Sequence, residues 1–238
     1  MRINTILFDL DGTLLPMDQN EFTDIYFAEL IKACAEGYDP KLFVKGIWAG
    51  TMAMVENDGS MTNRERFMKV FASLLGEEVR LREQRFDRFY ANEFELAKRA
   101  VRQNPVILEF VELLKRKGYA LALATNPVFP LVATLARIRW ANLRAEDFMV
   151  ITTYENSRFC KPNPNYFLCD VLGKIGKRPE ECLMVGNDVE ADMGAGALGM
   201  ETYLITNCLE NPNEVDISKY RHGRYEDFLE FVKGLPEA

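Results

Sequence analysis

Residues 5–13 read Thr-Ile-Leu-Phe-Asp-Leu-Asp-Gly-Thr, and this stretch decides the predicted fold. Its apolar run is short, as in strands that are buried on both faces of a parallel sheet. Gly12 ends the run, and Asp9 and Asp11 leave the strand end on roughly one side because side chains alternate along a strand. Close carboxylates repel each other unless a cation joins them, and hard divalent cations prefer such oxygen ligands. The stretch therefore predicts a buried strand that ends in a candidate metal site.

The second half of the chain alternates between helix and strand patterns. Helices are predicted at residues 106–117, 129–138, 165–172, 189–198 and 225–233, and strands at 119–124, 148–152, 182–185 and 201–205. Strands that alternate with helices at this pace form βαβ units around a parallel sheet. We therefore predict an α/β fold with a Rossmann-like, doubly wound parallel sheet.

The segment between the first strand and residue 100 has a different pattern. Phe22, Tyr26 and Leu30 recur at helical spacing, and similar apolar stripes follow. Since this segment has no convincing strand pattern, it is predicted to be a helical insert over residues 17–100. The α/β core is then formed by residues 1–16 and 101–238.

Composition limits the classes of partner. The chain has a formal net charge of −7 and a pI of about 5.0, which gives no general support for binding to nucleic acid or to anionic membranes. A small anionic substrate is still compatible, because a metal ion and local donors override the global field. No apolar run reaches the ~20 residues of a membrane span.

The five cysteines lack C-x-x-C spacing, and no signal-peptide pattern precedes Asp9, so we expect free thiols and a cytoplasmic protein.

Three further features follow predicted strands, where ligands of open α/β sheets bind. Thr125 and Asn126 offer a hydroxyl and an amide for an oxyanion, although Asn-Pro turns are common. Lys161 is a point charge suited to phosphate, although a lone lysine is more often a solvated surface residue. Asp188 suits a magnesium site or a helix N-cap, and Asp192 lies one helical turn later.

The order of these features resembles that of the haloacid dehalogenase superfamily. Its motifs are a D-x-D-G-T strand end, a strand ending in Ser or Thr, a lysine, and an acidic D-x-x-x-D pair. In this chain they correspond to Asp9 and Asp11, Thr125, Lys161, and Asp188 and Asp192. The helical insert resembles the helical cap domain of the family. One departure is Asn187, which stands between Gly186 and Asp188 where the family often has Gly directly before the Asp.

The resemblance implies a Mg²⁺-dependent phosphatase of a small phosphorylated metabolite. Asp9 would be the nucleophile that forms an aspartyl-phosphate, and Asp11 would be the general acid and base. Mg²⁺ would be held by an Asp9 carboxylate oxygen, the Asp11 backbone carbonyl and Asp188.

The resemblance also implies which residues bind the phosphoryl group. Thr125 and Lys161 would hold it, helped by backbone N–H groups near Gly12 and Asn126. Two further residues, Asp192 and Asn187, would support the site, each with an alternative role as a contact to the metal.

A monomer or a homodimer is expected. Substrate specificity would lie in the cap, where four residues are either substrate contacts or packing residues: Trp48, Met52, Met54 and Phe67.

Several other activities stay open at this point. A haloacid dehalogenase would not need Asp11, but a phosphomutase uses the same core residues. A phosphonatase would need a cap lysine, and none of Lys32, Lys41, Lys45 and Lys69 stands out. A non-catalytic binding protein of this fold would be expected to lose some of the acids, which are all present. A dinucleotide-binding protein is disfavoured because no G-x-G-x-x-G follows the first strand.

Overall fold

The computed structural model of the chain describes residues 3–238, so the first two residues of the predicted core range 1–16 lie outside the described residues. A five-stranded sheet forms the centre, with the order β2-β1-β3-β4-β5 and only parallel pairings. The strands are β1 (Thr5–Phe8), β2 (Ala120–Leu123), β3 (Cys182–Gly186), β4 (Glu201–Ile205) and β5 (His222–Gly223). The predicted α/β fold with a parallel sheet is confirmed.

Both faces of the sheet are covered by apolar residues. Ile6 and Phe8 pack into one apolar cluster, whereas Leu7 packs into a second cluster with Ala122 and Met184. This alternation is the two-residue period of a strand, and it explains why the β1 sequence is apolar at every position. Every β1 side chain is buried.

Within the described part of the chain, eight α-helices surround the sheet or precede it. They are α1 (Gln19–Cys34), α2 (Pro40–Val55), α3 (Asn63–Leu75), α4 (Glu83–Ala91), α5 (Pro105–Arg116), α6 (Leu131–Trp140), α7 (Gly173–Ile175) and α8 (Tyr225–Gly234). Shorter 3-10 helices span Glu77–Arg82, Glu93–Ala100, Ala145–Asp147, Pro179–Glu181, Met193–Leu198 and Ile217–Lys219, and a π-helix spans Tyr166–Leu172. Within residues 3–238, none of them has the length and apolar character that crossing a bilayer requires.

The helical segment from α1 to the 3-10 helix Glu93–Ala100 contains no strand among its described residues. Its first helix buries Phe22, Tyr26 and Leu30, which recur every four residues on one face. The segment begins and ends side by side, because Met17 forms an antiparallel bridge with Val101. The division into a core and a cap at residues 17 and 100 stays a prediction.

One predicted strand, at residues 148–152, is formed only in part. The chain there is extended and forms a single parallel bridge, between Ile151 and Leu123. The Thr152 hydroxyl then donates to the Thr125 carbonyl at 2.7 Å. Backbone bonds also join the two segments, because the N–H groups of Met149 and Thr152 donate to the carbonyls of Leu121 and Leu123, and the Leu123 N–H donates to the Val150 carbonyl. The segment is thereby held beside β2.

Two other segments differ from the predicted pattern. The helix expected at residues 189–198 is a 3-10 helix over Met193–Leu198, in a stretch where Gly194 and Gly196 weaken helix formation. Glu201–Ile205 is not the last strand, because β5 pairs with its end. A two-residue strand leaves no periodic signal in the sequence.

Candidate active site

A pocket of about 130 Å³ opens at the carboxyl ends of β1, β2 and β3. The strand order places β1 between β2 and β3, so the chain reverses its winding direction here, and open α/β sheets bind ligands at such a point. The structure brings most of the predicted site residues to this pocket. They are Asp9, Asp11, Thr125, Asn126, Lys161, Asn187, Asp188 and Asp192, and they are joined by Gln19, Ala191 and Glu210.

Lys161 is the centre of a buried charge cluster. Its Nζ donates to Asp9 Oδ1 at 2.7 Å and to Asp192 Oδ1 at 2.6 Å. All three side chains are almost fully buried. Burial alone would lower the pKa of Lys161, but the carboxylates of Asp192 and Asp9 raise it overall, so the ammonium group stays protonated. The predicted phosphate-binding cation is therefore held against the predicted nucleophile.

Asp192 has the geometry of a supporting residue. Its Oδ1 accepts from Lys161, and its Oδ2 accepts the backbone N–H of Asp188 at 3.0 Å. Burial raises the pKa of Asp192. Asp188 in turn accepts the N–H groups of Glu190 and Ala191 through Oδ1, both at 2.8 Å, and these bonds close a turn. The next helix begins only at Met193, so Asp188 is not a helix N-cap, and its metal-binding role stays a prediction.

The end of β2 supplies the predicted phosphate-binding groups. The Thr125 carbonyl accepts the hydroxyl groups of Thr152, at 2.7 Å, and of Tyr166, at 2.9 Å. Asn126 Oδ1 accepts the backbone N–H of Lys161 at 3.2 Å. These bonds fix the two loops that carry Thr125 and Lys161, and both residues line one pocket.

Arg137 is a member of the site that sequence reasoning missed. Its side chain is buried, forms an ion pair with Asp11 Oδ2, and lies over the Phe129 ring with Cζ at 4.4 Å from the centroid. Burial raises the pKa of Asp11, Arg137 opposes this shift, and the Asp9 charge adds to it. The sequence did contain a signal for this residue. Arg137 follows Ala133 by four residues, which places a charged side chain on the apolar face of the predicted helix 129–138.

Glu210 is the second missed residue. It lies beside Asp188, since the Glu210 N–H donates to the Asn187 carbonyl and the Val189 N–H donates to the Glu210 carbonyl. Desolvation at the pocket, together with the charges of Asp188, Asp9 and Asp11, raises the pKa of Glu210 to about 7. The residue comes from a polar segment after β4, and no motif marks it in the sequence.

The charge balance of the pocket fits a divalent cation. Among the described residues, five carboxyl groups meet two cations there, Lys161 and Arg137. Asp11 Oδ1 is buried without a hydrogen-bond partner, and a buried oxygen of this kind is costly unless a donor or a metal satisfies it. Among residues 3–238 no three acidic, His or Cys side chains form a ready-made metal cluster. The predicted ligand set needs none, because it combines two carboxylates with a backbone carbonyl.

The Asn187 side chain forms hydrogen bonds to two other loops. Its Oδ1 accepts the Thr13 hydroxyl at 2.9 Å, and its Nδ2 donates to the Cys208 carbonyl at 2.7 Å. The amide oxygen is thus engaged by Thr13, which agrees with the predicted supporting role and leaves a direct metal contact without geometric support. Gly12 packs against this amide with a φ of +85°, in the left-handed region that favours glycine.

Gly12→Ala is expected to destabilise the protein and to lower its activity. The new Cβ would collide with the Asn187 amide, and the positive φ alone costs about 1–2 kcal/mol. Gly176→Ala is the matched control, because Gly176 has a φ of +65° and an added Cβ meets no described atom within 4 Å. Urea unfolding should show a larger loss of unfolding free energy for Gly12→Ala. Equal losses would contradict a steric role for Gly12.

Known proteins of similar sequence and structure share this fold. Pyrophosphatase PpaX of Bacillus cereus is 26% identical over 210 residues, which are 88% of this chain and 86% of the relative. Ribulose-1,5-bisphosphate 5-phosphatase of Halopiger xanaduensis is 27% identical over 211 residues, which are 84% of this chain and 83% of the relative. The crystal structure of a HAD phosphatase from Thermococcus onnurineus has the same fold, with a TM-score of 0.63 and 20% identity, and 100% of each chain is covered.

A family model decides the assignment. The model of haloacid dehalogenase-like hydrolases matches residues 3–199, which include every motif residue at the pocket from Asp9 to Asp192. The predictions of this family and of an enzyme are therefore confirmed. With most of its length matched by that model, the chain belongs to the haloacid dehalogenase-like hydrolases.

Proposed function

We propose that the protein is a magnesium-dependent hydrolase of a small phosphate monoester, with Asp9 as a covalent nucleophile. The observation that carries this proposal is the contact between Lys161 and Asp9 in a pocket that also holds Asp11. A buried ammonium group beside a carboxylate can draw in a phosphoryl group and orient the attacking oxygen. The names of the two relatives, a pyrophosphatase and a bisphosphate phosphatase, support phosphoryl chemistry.

In the first half-reaction, a carboxylate oxygen of Asp9 attacks phosphorus and the ester P–O bond breaks. The leaving oxygen takes a proton from Asp11, so an alcohol departs and an aspartyl-phosphate remains. Burial raises the pKa of Asp11, and this direction favours the protonated form that a general acid needs. Lys161 and Thr125 would offset and orient the charge on the transferring group.

In the second half-reaction, water attacks the same phosphorus atom. Asp11, now a carboxylate, accepts a proton from this water, and the bond between phosphorus and Asp9 breaks to release phosphate. Both carboxyl groups thereby return to their starting states. Dividing the hydrolysis in this way lets one acid serve as the proton donor and then as the base.

The magnesium ion would be held by Asp9, the Asp11 carbonyl and Asp188. When bound, it supplies positive charge that reduces repulsion between the nucleophile and the phosphate. Glu210 lies close enough to the same pocket to contribute through a water molecule. Asp192 would keep Lys161 and Asp188 in position.

We also propose that residues 17–100 act as a cap over this pocket. Gln19, at the start of α1, lines the pocket together with the strand-end residues. The two connections to the core lie side by side at Met17 and Val101, which is a suitable place for a hinge. A cap of this kind would select the leaving group and exclude water.

Chelation is expected to silence the enzyme. Hydrolysis of p-nitrophenyl phosphate should stop in EDTA and return with Mg²⁺. Without the metal, the negative charges of the Asp9 carboxylate and the substrate phosphate would repel each other in the pocket. Asp188→Asn should raise the Mg²⁺ concentration needed for half-maximal activity by at least about tenfold. Asp24→Asn, an exposed site on α1, is the control and should change nothing.

Two outcomes would contradict the proposal. Turnover that is indifferent to chelation would remove the metal from the mechanism. Folded protein that leaves every monoester intact, yet isomerises a phosphorylated sugar, would make the enzyme a phosphomutase.

A further inference from the structure

A second cavity, of about 250 Å³, lies between the helical segment and the core. Helices α1 to α4 form most of its wall, and residues that follow the β2 end close it. Aromatic side chains dominate the lining, and they include Phe22, Tyr26, Phe27, Trp48, Phe67 and Phe129. The cavity is the larger of the two, and it is large enough for a bicyclic organic group.

The aromatic cavity adjoins the catalytic pocket. Gln19 lines both of them. The loop after β2 also serves both, because Asn126 lines the catalytic pocket and Val128 and Phe129 line the aromatic cavity. A ligand whose phosphate lies at Asp9 could therefore extend past Gln19 into the aromatic cavity.

Several polar groups of the aromatic cavity are paired with each other. The hydroxyl groups of Tyr26 and Tyr90 lie 2.9 Å apart and bond to each other. Arg64 forms an ion pair with Glu83. The lining therefore offers mainly ring faces and edges to a ligand, and such surfaces bind flat apolar groups.

The charge of the cavity disfavours a second phosphate. Among the described residues that line it, Arg64 is the only cation, and Glu83 already compensates it. Asp87 adds a further negative charge. Pyrophosphate and bisphosphates need uncompensated cations at both ends, because an unpaired anion is costly to desolvate.

We infer that the substrate is the phosphate monoester of a flat, uncharged, mainly apolar alcohol, whose organic part occupies the aromatic cavity. This inference rests on the proposed function, since it assumes that the phosphate lies at Asp9. It differs from the substrates that the names of the two relatives suggest. The residue that should discriminate most is Trp48, which lines the cavity although half of its surface is exposed.

The test compares two esters that both release a primary alcohol, naphthylethyl phosphate and ethyl phosphate, with pyrophosphate as a third substrate. Since the leaving groups are matched in chemistry, the ratio of their kcat/KM values reports contacts to the organic part. We expect kcat/KM to be at least about a hundredfold higher for naphthylethyl phosphate than for ethyl phosphate, because even one methylene group in an apolar pocket is worth roughly 10–200-fold. Pyrophosphate should be the poorest substrate.

Trp48→Ala should lower this ratio by about tenfold. Met52→Ala is the matched control, because Met52 lies one turn further along α2 and is also 50% exposed but does not line the cavity. It should leave the ratio unchanged. A ratio near one in the wild type, a preference for pyrophosphate, or equal effects of the two variants would overturn the inference.

A binding measurement separates this inference from the proposed function. Calorimetry on the Asp9→Asn variant with Mg²⁺ compares the Kd of naphthylethyl phosphate with that of ethyl phosphate, without any turnover. Tighter binding of the naphthyl ester that is lost on adding Trp48→Ala supports the cavity assignment even if the wild type hydrolyses nothing. Equal binding of both esters overturns it even if the wild type is an active phosphatase.

Discussion

Asp9→Asn is expected to abolish hydrolysis, with kcat lowered by about 10⁴-fold or more. An amide oxygen is a far weaker nucleophile than a carboxylate, and the covalent step has no substitute. The change keeps the size and the shape of the side chain, so the surrounding strand ends should stay in place. Steady-state kinetics with p-nitrophenyl phosphate and Mg²⁺ measure the loss, and circular dichroism measures the fold.

The control for this variant is Asp24→Asn, which makes the same chemical change at an exposed position of α1. It should retain full activity. A second check is a burst of phosphorylation on the protein, which the wild type should show in a rapid quench and Asp9→Asn should not. Retained turnover in Asp9→Asn would remove this residue from the nucleophile role and would leave Asp11 as the candidate.

The residues that the sequence predicted best are those that follow strands. Asp9, Thr125 and Asp188 lie just beyond β1, β2 and β3, and parallel strands bring their carboxyl ends to one edge. The position of each of these residues at the sheet edge therefore follows from the strand pattern that precedes it in the sequence. Lys161 was found through the order of the motifs, because no periodic pattern marks its loop.

Arg137 and Glu210 could not be placed in the same way. Arg137 reaches Asp11 across 126 positions of sequence, and only the packing of α6 against the strand end brings them together. Glu210 is brought to Asp188 by two backbone hydrogen bonds between loops. No periodic pattern in the sequence predicts either contact, because both depend on how whole elements pack together.

The residues of the helical segment that contact the substrate could not be predicted from the sequence either. At helical spacing, a residue that lines a cavity looks the same as one that fills a core. The structure separates the four candidates. Trp48 and Phe67 line the aromatic cavity, Met54 is buried, and Met52 faces solvent outside the cavity.

Lys161→Met is expected to cost both stability and activity. The substitution would leave Asp9 and Asp192 buried without their shared cation, and breaking a buried ion pair in this way typically costs about 3–5 kcal/mol. Urea unfolding measures the stability loss, and phosphatase kinetics measure the activity. An unchanged unfolding free energy would show that the two carboxylates do not depend on Lys161.

The pH dependence of this loss has a definite sign. Asp192 has a raised pKa in the folded protein, and without Lys161 it should rise further. A carboxyl whose folded pKa lies above its unfolded value contributes stability below the unfolded pKa and loses that contribution as pH rises through the folded pKa. The wild type loses the same contribution up to its own Asp192 pKa of about 7, so the deficit of Lys161→Met should stay level below about pH 7 and should grow above it. A deficit that shrinks with rising pH would contradict the buried-charge explanation.

The double variant Lys161→Met/Asp192→Asn separates the structural role of Lys161 from its catalytic role. Removing the charge of Asp192 together with its partner should restore most of the unfolding free energy, since only Asp9 would then lack a cation. Activity should stay low, because the phosphoryl group would still meet Asp9 without a neighbouring ammonium group. Stability and activity that recover together would make Lys161 a structural residue only, whereas recovery of stability alone would assign it to the transferring phosphoryl group.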